Sequence, residues 1–205
     1  MKIVAQIRLA FCGLLLLAGG SAKVINAQTQ AEAMPEKGPG GKEARFKEFL
    51  QRVNAYNKLR NSVHGGIPAL GKKATAEEIQ KHQATLAAKI EGARKEAQQG
   101  DIFTPDSQKA FRRAIDHALS GKHAKRIDRT IVQGEPVKLD LYVNKAYPEK
   151  IPVTTVPPTL LQHFPKLPKN IEYRIVGDDL VLEDTESRVV IDIFPSAFPN
   201  APPHT

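Results

Sequence analysis

The chain has 205 residues, 41% of them hydrophobic, a formal net charge of +8, one cysteine and no tryptophan. That is apolar material enough for one core without covalent staples, and a lone cysteine excludes a disulfide frame and a multi-thiolate metal site. Lys and Arg outnumber Asp and Glu over residues 41–134 and the balance reverses over 135–205, so a basic half is joined to a mildly acidic one.

Lys2 and Arg8 precede an apolar stretch over residues 9–18 that ends in Gly19, Gly20, Ser21 and Ala22. This is the order of a secretory signal peptide, and the apolar run falls short of the roughly 20 residues that span a bilayer as a helix. Cleavage after Ala22 and after Ala27 both remain open, and the signal is read as residues 1–27. Cys12 follows Phe11 and precedes most of the apolar run, so it is an ordinary residue of the signal and not a lipid-carrying one. The exported chain is then cysteine-free, has no transmembrane span, and is expected in the periplasm or the medium.

Residues 28–41 are rich in Gln, Ala, Pro and Gly without apolar periodicity, a flexible leader. Residues 42–134 read as a helical region. Phe46, Phe49, Leu50, Val53, Tyr56, Leu59 and Val63 lie at steps of three and four and predict one amphipathic helix over 42–63, ended by Gly65, Gly66 and Pro68. Thr75 with Glu78 is a capping-box pair that starts a second helix, with Ile79, Leu86, Ile90, Ala93 and Ala97 as its buried edge and Gly100 as its stop. The two have equal lengths and are expected to pack as an antiparallel hairpin. Thr104 followed by Pro105 caps a third helix that buries Phe111, Ile115 and Leu119, and residues 124–132 are compatible with a fourth.

The period changes to two at Pro136. Val137, Leu139, Leu141 and Val143 alternate with polar residues as in a half-buried strand. A proline-rich crossing follows over 147–168, with one helical turn at Leu160 and Leu161. Three short strands complete the pattern: Ile171, Tyr173 and Ile175; Leu180 and Leu182; Val189, Ile191 and Ile193. Turns are expected at Gly177 with Asp178 and at 184–187. A proline-rich tail begins at Pro195 and is frayed over 199–205. The fold class is therefore α+β: a helical hairpin with one or two further helices, then, over 135–198, the crossing and a small antiparallel meander whose edges need cover.

No serine, lysine or histidine stands at the spacing of a nucleophile elbow, a Ser-x-x-Lys pair or a His-Glu-x-x-His helix, so no catalytic site and no cofactor are expected. His117 and His123 with Asp116 and Asp128 converge if the chain folds back after Gly121, which makes them the candidate metal ligands. His82, near the apolar edge of the second helix, reads as a packing residue. Lys109, Arg112, Arg113, Lys125, Arg126 and Arg129 form a basic face suited to a partner protein or an anionic envelope component. Export, and the lack of tryptophan and of a tight basic run, exclude nucleic acid as a partner. The acidic group Asp178, Asp179, Glu183, Asp184 and Glu186 lacks the alternating oxygen ligands of a calcium loop and reads as hairpin turns.

The segments LYVNKAYP at 141–148, TVPPTLL at 155–161 and LPKNIEYRIVGDDLVL at 167–182 resemble a group of exported bacterial proteins without assigned activity. The 173–193 pattern is also similar to the C-terminal hairpins of small periplasmic nickel and cobalt homeostasis proteins, and departs from them at Asp184, Thr185, Glu186 and Ser187, where those turns carry glycine. The reading that follows is an exported, non-enzymatic binding or interaction protein of the cell envelope. The alternative, which the second resemblance implies, is a periplasmic metal-handling protein.

Overall fold

The computed structural model describes residues 39–121, 141–148 and 154–198, all within the compact unit Glu36–Thr205. Four helices come first: α1 (Pro39–Arg45), α2 (Lys47–His64), α3 (Ala76–Ala93) and α4 (Pro105–Ser120). A two-residue strand β1 (Thr154–Thr155) and a helical turn α5 (Pro158–Leu161) lead into β2 (Ile171–Val176), β3 (Asp179–Asp184) and β4 (Val189–Phe194). The sheet is antiparallel throughout in the order β1-β2-β3-β4, and the fold is α+β. The predicted fourth helix, the Val137 and Leu139 part of the strand and the 199–205 tail lie outside the described residues. No helix among the described residues is long and apolar enough to cross a membrane.

The caps read from sequence form as expected. At the start of α3 the Glu78 amide donates to Thr75 Oγ1 at 3.2 Å and the Thr75 amide to Glu78 Oε2 at 2.7 Å, a complete capping box. α4 starts with Thr104 as N-cap and Pro105 at the first helical position. Helical steps and strand alternation then direct the apolar side chains to one core between helices and sheet. Phe111 sits at its centre, its ring 4.7 Å from that of Phe46 and 4.9 Å from those of Phe49 and Phe164. Ile171, Tyr173, Ile175, Leu180, Leu182 and Val189 close it from the sheet.

Several expectations need correction. The single helix over 42–63 is two, broken at Phe46, which turns out of helical geometry (φ −107°, ψ 18°) as its ring enters the core. The second helix ends at Ala93, short of Ala97, because Arg94 leaves the helical path to donate both Nη groups to the Ile191 carbonyl at 3.2 Å and to lie 5.1 Å over the Tyr56 ring. Its buried edge is therefore His82, Leu86 and Ile90, with Ile79 and Ala93 exposed. Gly100 does adopt a left-handed conformation (φ +91°), but in the following loop. The tail closes on the core at its start, where Ala197 and Phe198 are buried and the Phe198 amide donates to the Asp178 carbonyl.

β4 departs most informatively. Leu182 pairs with Asp192 but Glu183 pairs with Val190, so Ile191 is the extra residue of a β-bulge. The bulge lets Ile191 and Asp192 face the helices together, and it sends Ile193, expected beside Ile191, to the opposite face with Val176, Val181, Val190 and Tyr147. Asp192, fully buried, there accepts from the amides of Gly100 (2.8 Å), Ile102 (2.7 Å), Phe103 (2.7 Å) and Ile193 (2.8 Å). Burial pushes this carboxyl up, and the four amide donors pull it back. The α3–α4 loop is thus pinned to the sheet by one side chain. The outer edge of β4 is covered by the 141–148 segment through Asn144 to Val190 (2.7 Å) and Val190 to Lys145 (2.8 Å). Leu141 and Val143 accordingly lie beside the sheet in non-strand backbone.

Candidate metal centre

One face of α2 carries Tyr56, Arg60 and His64 at steps of four, so the three side chains stack along the helix toward the turn between β3 and β4. The turn answers with two carboxylates. Tyr56 donates its hydroxyl to Asp184 Oδ2 at 2.9 Å, and Arg60 Nε donates to the same oxygen at 3.2 Å. Arg60 Nη2 donates to Glu186 Oε2, and His64 Nε2 lies 3.1 Å from Glu186 Oε1. Asp184 and Arg60 are both buried. With its amide oxygen turned to the guanidinium, Asn170 accepts from both Arg60 terminal nitrogens at 3.1 Å.

The turn is held in place from within. Asp184 Oδ1 accepts from the amides of Glu186 (3.1 Å) and Ser187 (3.0 Å), and Arg188 closes the turn in a left-handed conformation at φ +59°. A non-glycine residue there carries local strain, which packing elsewhere must offset. The hairpin turns at Gly177 with Asp178 and after Asp184 form as expected, and Asp184 and Glu186 also carry ion pairs to Arg60. On the other face of the sheet, buried Glu183 pairs with Arg174 at 2.7 Å and with Arg188 at 3.1 Å.

The third contributor comes from α3. His82 is only 7% exposed, and its Nε2 points to Glu186 Oε1 from 3.4 Å, too poorly aimed for a hydrogen bond, so the nitrogen has no hydrogen-bond partner. The two imidazole rings meet edge to face, centroids 5.6 Å apart. His64, His82 and Glu186 each offer one ligand atom, and these atoms lie within 4.8 Å of one another. An ion bound by nitrogen and oxygen at 2.0–2.2 Å sets its tetrahedral ligands about 3.4 Å apart, close to the separations from Glu186 Oε1. Two imidazoles and one carboxylate, without thiolate, suit borderline divalent ions such as zinc, nickel, cobalt or copper(II), and neither calcium nor copper(I).

Electrostatics favours the liganding form of the carboxylate. Burial raises the Glu186 carboxyl, but the Arg60 charge and hydrogen bond, with His64, outweigh it and hold the group below the ordinary glutamate value. Arg60 also fixes Oε2 and so aims Oε1 at the histidines, the usual task of an outer-shell partner. Its own charge is met by Asp184, so it need not repel an ion as a bare cation would. Burial, then Asp184, pushes the Tyr56 hydroxyl well above its ordinary value, keeping it a donor.

The ligand set expected from sequence lies elsewhere. His117 and Asp116 are exposed on α4, the His117 ring lying 5.1 Å from that of His163, while His123 and Asp128 fall outside the described residues. Of the basic face, Lys109 pairs with Asp106 at 2.9 Å, Arg112 donates to the Ser196 carbonyl and lies 4.8 Å over the Phe194 ring, and Arg113 is exposed. Lys125, Arg126 and Arg129 are outside the described residues. His82, read as a packing residue, packs and also points into the carboxylate cluster. The antiparallel hairpin was the signal that could have found it, because such a hairpin brings the end of its first helix beside the start of its second.

Set against protein-family models, curated proteins and solved structures, the chain matches none. The fold and the site therefore stand on their own geometry: an α+β protein with a two-histidine, one-carboxylate cluster where a helical hairpin meets a β-turn.

Proposed function

We propose that this is an exported metal-handling protein that binds one borderline divalent transition-metal ion through His64, His82 and Glu186. The observation that carries the reading is the buried His82 Nε2, without a hydrogen-bond partner and directed at a carboxylate that His64 also faces. Burying a polar nitrogen unpaired costs free energy, and an ion would turn that cost into a ligand bond. Export is supported by the signal-like N-terminus. The interaction reading has no comparable buried group behind it, its Lys109 and Arg112 making surface contacts.

Calorimetric titration of the full chain with zinc, nickel, cobalt and copper(II) chlorides is expected to give one-to-one binding for at least one ion, and none with magnesium or calcium. His64→Ala, His82→Ala and Glu186→Gln should each weaken it about 100-fold or more, given that even outer-shell losses cost about 10–100-fold, while His117→Ala leaves it unchanged. Equal heats from the wild type and the three ligand variants would sink the proposal.

Binding is also expected to weaken with acid and to release protons, because imidazoles bind metal only as neutral bases. Burial raises Glu186, but Arg60 and His64 hold it below its ordinary value, which favours its liganding form. Titration in buffers of different ionisation enthalpy measures the proton count, and a pH-independent affinity would contradict the ligand assignment.

A further inference from the structure

α3 is thinly held. It buries three side chains, His82, Leu86 and Ile90, all on one stripe, whereas α4, of similar length, buries Ser107, Ala110, Phe111, Ala114, Ile115 and Ala118. Toward its N-terminus nothing beyond His82 is anchored: residues 76–81 are exposed, and Ile79 is 39% and Leu70 41% exposed. The first half of α3 therefore rests on one buried imidazole whose Nε2 makes no hydrogen bond, and the loop before it packs on the core at Ile67.

We infer that the ion works as a clamp: it docks the 68–82 arm onto the end of α2 and the β3–β4 turn, and without it the arm is weakly held. The inference rests on the metal reading above. His64 ends α2, His82 lies in the second turn of α3 and Glu186 in the hairpin turn, so one ion would join three segments far apart in sequence. Local opening of α3 must separate His82 from the other two ligands and so must release the ion. Opening is then suppressed by the factor by which the ion binds the closed form alone. α4 contributes no ligand, so its amides gain protection only through opening of the whole fold. Occupancy of the site would thus be reported to the outside as order in a solvent-facing helical arm.

The experiment is hydrogen–deuterium exchange of the full chain with and without zinc chloride, read by mass spectrometry on peptides of residues 76–90, with residues 105–120 as the internal reference. Without zinc, 76–90 should exchange faster than the reference, and at a free zinc concentration a hundred times the dissociation constant it should slow by up to about 100-fold. His64→Gln, which removes a half-exposed ligand and leaves the α3 anchors intact, should abolish the slowing. Leu86→Ala should speed metal-free exchange in α3 and widen the effect of zinc. Zinc that binds by calorimetry but leaves 76–90 unchanged would overturn the clamp and spare the metal site. Equal exchange of the two regions in metal-free protein would overturn it too, since no arm is then weakly held, and no binding at all would overturn both readings.

Discussion

Asp192→Ala is expected to destabilise the protein by about 3–5 kcal/mol, through loss of hydrogen bonds to a charged group worth roughly 1.5–3 kcal/mol each, partly offset by no longer burying a carboxylate. The residue is fully buried and serves four amides, three of them in the loop that joins α3 to α4. Alanine would leave those amides without acceptors in a dry environment. Asp192→Asn is the instructive comparison: an asparagine side chain keeps one oxygen but turns an NH₂ group toward two donors, so this variant should fall between wild type and alanine. Urea denaturation measures both. An alanine variant within about 1 kcal/mol of wild type would mean that the loop finds other acceptors or water.

The second large effect is expected at Arg60. Arg60→Met keeps the stem and removes the charge, leaving Asp184 buried beside a carboxylate and without a cation. Breaking a buried pair from one side typically costs about 3–5 kcal/mol, because the remaining charge stays desolvated. The double variant Arg60→Met, Asp184→Asn should recover part of the loss, since the uncompensated charge is then gone, and a double-mutant cycle in urea isolates that coupling. Arg60→Met should also loosen Glu186 and weaken metal binding by about 10–100-fold. Wild-type stability in the single variant would show that Asp184 is satisfied by Tyr56 and the turn amides alone.

Local signals in the sequence reached a good part of this fold. The capping pair Thr75 and Glu78, the Thr104–Pro105 start and the alternation at Ile171, Tyr173, Ile175, Leu180 and Leu182 each describe chemistry within a few residues, and each took the expected form. What sequence did not show depends on residues brought together from afar. Phe46 breaks a helix whose periodicity runs straight through it, because the core claims its ring. Ala97 had the right spacing for α3, but Arg94 is drawn to a carbonyl on β4. Asp184 and Glu183 looked like turn residues because nothing local distinguishes a solvated carboxylate from one that meets Arg60 or Arg174 across the fold. The candidate centre was hidden in the same way: His64, His82 and Glu186 share no motif, and only the hairpin and the β-turn join them.

The bulge at Ile191 bears on which mutations this chain can absorb. Val189 and Val190 lie between it and the turn that carries Glu186, one facing each side of the sheet. Removing Ile191 would regularise the ladder, with Val190 still opposite Glu183 and Asp192 still opposite Leu182, each on its present face. A length change at Val189 or Val190 differs, because a one-residue slip there would turn the hairpin's carboxylates away from Arg60 and the histidines. Substitution tables would therefore mislead here: the start of β4 tolerates changes of side-chain type better than changes of length, and among descendants of this sequence the stretch from Asp184 to Val190 is expected to vary in spelling but not in residue count.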